Sequence, residues 1–133
     1  MLQFSISVDG KVIEDMTRPT VNPTDTKNDD FYEAMFLFAK HNNYYFHPMV
    51  SAYSIEYWIE NYKWWMSQCE KYDIYQNSAL MMLEVRNDDW TKEKIEKYKE
   101  FLDYLFEEEY QKAHKNIALM ADNMYNLSCR NNT

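Results

Sequence analysis

The sequence predicts a mainly helical α+β domain, with a β-hairpin at its start and a bundle of about four helices after it. Apolar and polar side chains alternate through residues 2–8, whereas from residue 29 onward apolar side chains recur every three or four positions, as on one face of a helix. With 133 residues and 46% hydrophobic side chains, the chain can bury a core without disulfides or metals. We therefore expect one domain, 1–133, with 29–133 as its helical body.

The hairpin is predicted by a turn as well as by alternation. Apolar and polar side chains alternate strictly in residues 2–8, and Asp9-Gly10, a favoured pair for a two-residue turn, follows. Residues 11–16 would then form the return strand. Because two strands alone are marginal in water, we expect a third strand, packing on helices, or pairing with another copy. The aromatic run 44–47 is the candidate third strand.

An irregular connector, residues 17–28, separates the hairpin from the helical body. It contains two prolines among threonine, asparagine and aspartate, and it has little to bury. Capping side chains at 28–30 predict a helix over 31–41, and this helix is central because nearly all of its residues are apolar. The asparagines at 42–43 predict its end.

Two further helices are predicted between residues 48 and 87. Pro48 suits the first turn of a second, unusually aromatic helix that runs to about residue 72. Asp73, with Gln76 three residues on, would cap a third helix that ends before 87–89.

A long C-terminal helix is predicted to begin after residue 90. Thr91 can cap it, while Trp90 before the cap and Ile95 four places after it form a hydrophobic staple. The predicted buried stripe of this helix consists of Ile95, Tyr98, Leu102, Leu105, Phe106, Tyr110, Ala113, Ile117, Met120, Met124 and Leu127. The stripe changes phase near Phe106, which predicts a bend or a break within 107–112.

Acidic residues follow the same rhythm on the neighbouring face of this helix. They recur at alternating steps of three and four: Glu93, Glu96, Glu100, Asp103 and Glu107. Lysines interleave with the first half and offer i,i+4 partners, as in Glu93–Lys97 and Lys99–Asp103, so we interpret that half as a solvated face.

The second half of the acidic row has no base before Lys112. It consists of Glu100, Asp103, Glu107, Glu108 and Glu109. Because like charges without partners destabilise a helix mildly, a cluster of this kind favours a use in binding. We interpret it as a partner-binding site for a basic surface.

Trp64 is the second candidate for partner binding. Its neighbours in the second helix match one helical face, which is the spacing of a core: Trp58, Ile59, Tyr62, Trp65 and Met66. Trp64 falls off the centre of that face, and aromatic residues are enriched at the centres of interfaces. We therefore expect Trp64 to be partly exposed and available to a partner.

No metal, cofactor or catalytic site is predicted. The three histidines, at positions 41, 47 and 114, fall on different elements, without a Glu-x-x-His pair. A single glycine excludes phosphate-binding loops and dinucleotide fingerprints, which need several. Cys69 and Cys129 have no CxxC spacing and no assignable catalytic partner, so we expect free thiols. The carboxylates occupy polar helix positions, where they stay ionised and hydrated, so an enzyme is not favoured.

Charge and hydropathy restrict the class of partner. A net charge of −8 argues against direct binding to DNA, RNA or an anionic membrane, and it makes a basic protein surface the natural counterpart. The first residues lack the basic start and apolar run of a secretory signal, and no segment holds about 18 uncharged apolar residues. We therefore expect a soluble, cytoplasmic protein.

Composition links the chain to a known group of proteins. The chain is short, acidic, poor in glycine and rich in tyrosine, asparagine and methionine, and it carries the carboxylate row over 93–109. In these features it resembles the small early proteins with which bacteriophages inhibit host defence, including anti-restriction DNA mimics and anti-CRISPR proteins. The resemblance implies an inhibitor that acts in the cytoplasm of the host cell.

From these observations we predict a non-enzymatic protein that binds and inhibits a nucleic-acid-handling partner through the carboxylate cluster. One alternative is an assembly module that forms a homodimer through the hairpin edge or the aromatic second helix, with the acids serving solubility. Another alternative is a small enzyme, which would need a deep pocket lined by a histidine and a carboxylate.

Overall fold

The structure, a computed structural model, describes residues 4–6, 8–17, 27–42, 44–74, 83–86 and 88–131. In these residues the chain forms five α-helices, one short 3-10 helix and two parallel sheets of two strands each. The elements in chain order are β1 (Phe4–Ile6), α1 (Lys11–Thr17), α2 (Lys27–His41), β2 (Tyr44–Phe46), β3 (Met49–Val50), the 3-10 helix (Ile55–Tyr57), α3 (Trp58–Lys71), β4 (Glu84–Val85), α4 (Lys92–Glu108) and α5 (Tyr110–Asn131). The predicted class, α+β and mainly α, is confirmed.

The predicted N-terminal hairpin is wrong. Residues 11–16 lie in α1, and β1 pairs with β2 in parallel, with Phe4 opposite Tyr44 and Ile6 opposite Phe46. The aromatic run at 44–47 does supply a strand, as predicted. That strand is the direct partner of β1 and not the third member of a hairpin sheet.

The hairpin fails because its turn is bound to α3. The side-chain N–H of Asn61 and the indole N–H of Trp65 both donate to the Asp9 carbonyl, at 2.7 and 3.0 Å. The Glu14 amide then donates to the Gly10 carbonyl at 2.8 Å, which starts α1 directly after the turn. Six residues are too few for periodicity to separate a strand from a helix, so these long-range contacts decide the outcome.

Helix α2 confirms the central helix predicted over 31–41, but it begins earlier. It starts at Lys27, so the acids Asp29 and Asp30 lie in its first turn, where they complement the helix dipole. The helix ends where predicted, and the Asn42 side chain donates to a carbonyl of its last turn at 2.8 Å. Most of the predicted connector, residues 18–26, lies outside the described residues.

The predicted second helix begins at Trp58 and not at Pro48. The residues after Pro48 form β3, which pairs in parallel with β4. The turn between β3 and the 3-10 helix is held by Asp88, whose carboxylate accepts the Ala52 N–H at 3.1 and 3.2 Å. A strand partner and a side-chain acceptor thus satisfy backbone groups that a longer helix would have satisfied internally.

Most of the predicted third helix, residues 75–82, lies outside the described residues. Its predicted end is wrong, because Glu84–Val85 is strand β4. The Leu83 N–H donates to the side-chain oxygen of Asn116 at 3.1 Å, and Asn116 is buried in α5. This hydrogen bond fixes the start of β4 against α5.

The aromatic side chains of α3 form the centre of the core. Trp58 and Trp65 have no exposed surface. The Trp65 ring lies 4.8 Å from the Phe46 ring and 5.7 Å from the Phe36 ring, so it packs toward β2 and α2. The Trp58 ring lies 5.5 Å from the Phe101 ring, so it packs toward α4. Helix α3 therefore lies between β2 and α2 on one side and α4 on the other.

Helices α4 and α5 form an antiparallel helical hairpin. The predicted cap is confirmed, since the Thr91 hydroxyl accepts the Lys94 N–H at 3.2 Å. The predicted break is also confirmed: α4 ends at Glu109, whose φ of −128° and ψ of 21° leave the helical region. The Tyr98 hydroxyl donates to the Met120 carbonyl at 2.6 Å, and these two residues are equally far from Glu109 along the chain. The chain therefore folds back on itself at Glu109.

Candidate partner-binding site

Four of the predicted site residues lie together where α4 ends. Asp103, Glu107 and Glu108 are exposed, and Glu109 is half-buried at the C-cap. We call these four residues the acidic corner. None of the ion pairs in the described parts of the chain involves Asp103, Glu107 or Glu108. The corner therefore carries negative charge that the described side chains do not neutralise.

Glu100, the fifth predicted acid, does not belong to the acidic corner. Its carboxylate lies 3.5 Å from the Lys97 ammonium. The neighbouring Lys99 pairs with Glu96 at 3.3 Å and not with Asp103. Lys97 and Lys99 thus pair at i,i+3 spacing instead of the predicted i,i+4 spacing, and they extend the solvated face one turn further than predicted.

An exposed aromatic pair lies beside the acidic corner. The Phe106 and Tyr110 side chains are 59% and 50% exposed, and their rings meet edge to face at 5.4 Å across the break. The prediction that both belong to the buried stripe is wrong. Phe106 follows the buried Leu105 in α4 and lies outside the buried face of that helix, and after the break at Glu109 Ala113 and Met120 reach the core while Tyr110 does not. Isolated exposed aromatics are ordinary, but an exposed edge-to-face pair beside carboxylates is a typical anchor for a partner.

Tyr104 connects the acidic corner to α3. Burial and the nearby carboxylates of Glu109, Glu108 and Glu60 raise its pKa, as does a hydrogen bond to Glu109. The Lys63 ammonium lies 5.5 Å from the Tyr104 ring centre and 3.7 Å from the Glu60 carboxylate. Lys63 is therefore already shared between an acid and a ring, which limits how far it can offset the charge of the corner.

Trp64 lies elsewhere. As predicted it is partly exposed, but its ring packs against Tyr32 at 4.8 Å, Phe36 at 5.8 Å and Trp65 at 5.1 Å. These contacts place it between α2 and α3. No described contact joins it to the acidic corner, so the two predicted binding elements are separate features.

The cleft beside Trp64 has mixed charge. Its volume is about 380 Å³, and its lining consists of Lys11, Asp29, Asp30, Tyr32, Glu33, Trp64, Gln68, Lys71 and Tyr72. Lys11 and Asp29 form an ion pair within it. Because lysines and carboxylates alternate around it, the cleft does not select a ligand by charge.

The described residues contain no group of three histidine, cysteine or acidic side chains arranged to hold a metal ion. Among the described helices, none is long and apolar enough to cross a membrane. Cys69 is buried in α3. The side chain of Cys129 lies outside the described residues.

Comparisons with known proteins do not assign the chain to a family. It matches no protein-family model, no curated protein and no solved structure. What the chain does has to be inferred from its own residues and their geometry.

Proposed function

We propose that the chain is a non-enzymatic inhibitor that binds a nucleic-acid-handling protein through the acidic corner, in the manner of phage anti-defence proteins. The carboxylates would occupy the lysines and arginines that otherwise hold phosphates. In this proposal the partner is a basic protein surface in the cytoplasm of the host cell, and the chain contacts neither nucleic acid nor a membrane.

The observation that supports this proposal is the joint exposure of acids and aromatic rings at one corner. Carboxylates that form no ion pair with the described side chains attract a basic surface over a distance of about 10 Å at moderate ionic strength and speed its association. The Phe106 and Tyr110 rings add apolar area beside these carboxylates, which slows dissociation. The patch thus combines an electrostatic approach with an apolar anchor.

The shape of the acidic corner favours docking into a cleft over imitation of a long duplex. The chain reverses at Glu109, so its carboxylates project from a turn and do not continue along α5. Because Glu100 is paired with Lys97, the acidic corner covers little more than the last two turns of α4. We therefore propose that the chain fills a basic groove and does not replace an extended stretch of DNA.

The alternative of an assembly module was based on two surfaces, the hairpin edge and the aromatic second helix. The return strand of the hairpin is helix α1, so the predicted hairpin edge is not formed. The aromatic face of α3 is the core: Trp58, Tyr62 and Trp65 are each 1% exposed or less. Both observations make self-association through these two surfaces the less favoured proposal.

The test of the proposal is capture of the partner with matched charge variants. The corner variant D103N/E107Q/E108Q and the control variant E70Q/E93Q/E96Q each remove three exposed carboxylates, so their net charges are equal. Glu109 is left intact because it caps α4 and bonds to Tyr104. Immobilised wild-type and control proteins should retain the same basic protein from a bacterial lysate, and the corner variant should lose it.

Measurements on the purified captured protein then test the proposed mechanism of inhibition. Wild-type chain should displace a DNA or RNA fragment from it, and the affinity should fall steeply between low and high salt. Phe106→Ala should raise the dissociation rate about tenfold or more, as expected for an aromatic anchor. Equal retention by the corner and control variants, or an affinity that salt leaves unchanged, would overturn the proposal.

A further inference from the structure

The outer face of α2 is apolar and exposed. Three large apolar side chains on it are about half exposed: Phe31 at 48%, Leu37 at 44% and Phe38 at 43%. Ala34 lies exposed between them. The opposite face carries the core residues of the helix, Tyr32, Met35 and Phe36, each 5% exposed or less. Helix α2 therefore has apolar side chains on two faces, of which one is in the core and the other faces solvent.

Charges of opposite sign lie at the two ends of this outer face. Asp30 and Glu33 are exposed in the N-terminal half, and Lys40 and His41 are exposed in the last turn. No described ion pair in the chain uses Asp30, Glu33 or Lys40, whereas Asp29 is already bound to Lys11. This surface has acids at one end, bases at the other and apolar side chains between. It is therefore complementary to an identical surface placed antiparallel to it.

We propose that α2 binds the α2 of a second copy of this chain in an antiparallel arrangement. The twofold axis lies between the two helices, level with the midpoint of Ala34 and Leu37. In an isologous contact each residue i of one copy meets a residue j of the other, and j meets i. The axis places Ala34 against the second copy's Leu37. It also places Asp30 near the second copy's His41.

The two edges of the face match in the same register. At 100° per residue, Phe31 and Phe38 lie on one edge of the outer face, and Glu33 and Lys40 lie on the other. A twofold axis perpendicular to both helices brings each edge against the same edge of the second copy. Phe31 therefore meets Phe38, and Glu33 meets Lys40, so every acid on the face opposes a base.

A second copy suits this face better than an acidic or a basic partner does, because either of those would meet like charge at one end. Helix α2 has 15 residues and is about 22 Å long, so the pair covers less than a standard interface of about 1,600 Å². The dimer should therefore be reversible and depend on concentration. Its residues are not those of the acidic corner, so it does not depend on the proposed function.

Sedimentation velocity of the full chain over a concentration series, from about 1 to 200 µM, tests the proposal. Wild type should shift from monomer to dimer. Leu37→Glu should stay monomeric at every concentration, because it places carboxylates in the apolar centre. The matched control is Leu119→Glu on α5, where the leucine is equally exposed at 44%, and this variant should dimerise like wild type.

Charge reversal tests the register itself. Glu33→Lys and Lys40→Glu should each raise the dissociation constant about tenfold, because each sets like charges across the axis. The double variant E33K/K40E should return to within about threefold of wild type. Glu70→Lys, an equal charge change on exposed α3 surface, should have no effect. A monomeric wild type, a dimer that survives Leu37→Glu, or a double variant as weak as the single ones would overturn the proposal.

Discussion

Gly10→Ala should destabilise the fold strongly. Gly10 has a φ of +126°, which alanine adopts only with strain. An added Cβ would lie 2.5 Å from the Asn61 side-chain oxygen, 2.8 Å from the Asn61 nitrogen and 2.8 Å from the Trp65 indole nitrogen. Both side chains are fully buried, so neither can swing into solvent.

The expected cost follows from these contacts. Backbone strain contributes about 1–3 kcal/mol. The Asn61 oxygen must retreat by about 1 Å to reach an ordinary van der Waals separation, which pulls the amide from its 2.7 Å hydrogen bond to the Asp9 carbonyl. Displacing Asn61 and Trp65 loses about 1 kcal/mol for each hydrogen bond, so the total is about 3–5 kcal/mol. For a domain of this size the melting temperature should fall by about 12–20 °C.

Urea unfolding of a double-mutant cycle with Asn61→Ala measures this cost. Asn61→Ala removes two of the three short contacts and leaves Trp65 bonded to Asp9. The effect of Gly10→Ala should therefore be smaller in the Asn61→Ala background by about 1–2 kcal/mol. The reasoning is refuted if Gly10→Ala costs less than about 1 kcal/mol, or if its cost is the same in both backgrounds.

Two further predictions concern buried aromatic side chains. Trp58 and Trp65 have no exposed surface, but only the Trp65 indole bonds, to the Asp9 carbonyl, whereas the Trp58 indole N–H has no partner among the described residues. In urea unfolding Trp65→Phe should cost at least about 1 kcal/mol more than Trp58→Phe, and the reverse order would contradict the assignment. Burial raises the pKa of Tyr62 and Tyr98, and the charge of Glu109 raises that of Tyr62 further. Above about pH 10 only the unfolded chain releases these two protons, so the free energy of unfolding should fall by up to about 1.4 kcal/mol per tyrosine and pH unit. A stability that stays level from about pH 9 to 11 would contradict this, and Tyr98→Phe should make the slope shallower.

The ends of α4 can be predicted from sequence because their causes are local. The Thr91 hydroxyl needs only an amide three residues on, and the break near Glu109 is visible as a change of apolar phase. The hairpin cannot be predicted in this way. Its turn is held by Asn61 and Trp65, which lie 52 and 56 residues from the carbonyl they bind. The sequence of residues 1–16 by itself does not predict those contacts.

The candidate site is predicted in part for the same reason. The carboxylates at 103–109 are placed by the helical period, which the sequence displays. The pairing of Glu100 with Lys97 depends on side-chain geometry that spacing alone leaves open. The exposure of Tyr110 depends on the direction that α5 takes after the break, and that direction is set by contacts such as the Tyr98 hydroxyl with α5.

The two small sheets constrain the order in which the parts of the domain assemble. Both are parallel, and they join distant segments: Phe4 pairs with Tyr44, and Met49 pairs with Glu84. Parallel strands cannot be joined by a tight turn, and the entropy of closing such long loops is lost before any pairing is gained. The helical hairpin of α4 and α5 closes a shorter loop, since Tyr98 and Met120 are 22 residues apart. We expect the hairpin to form first and serve as the surface on which α3 and then the strands dock, with β1 the last segment to join and the first to leave.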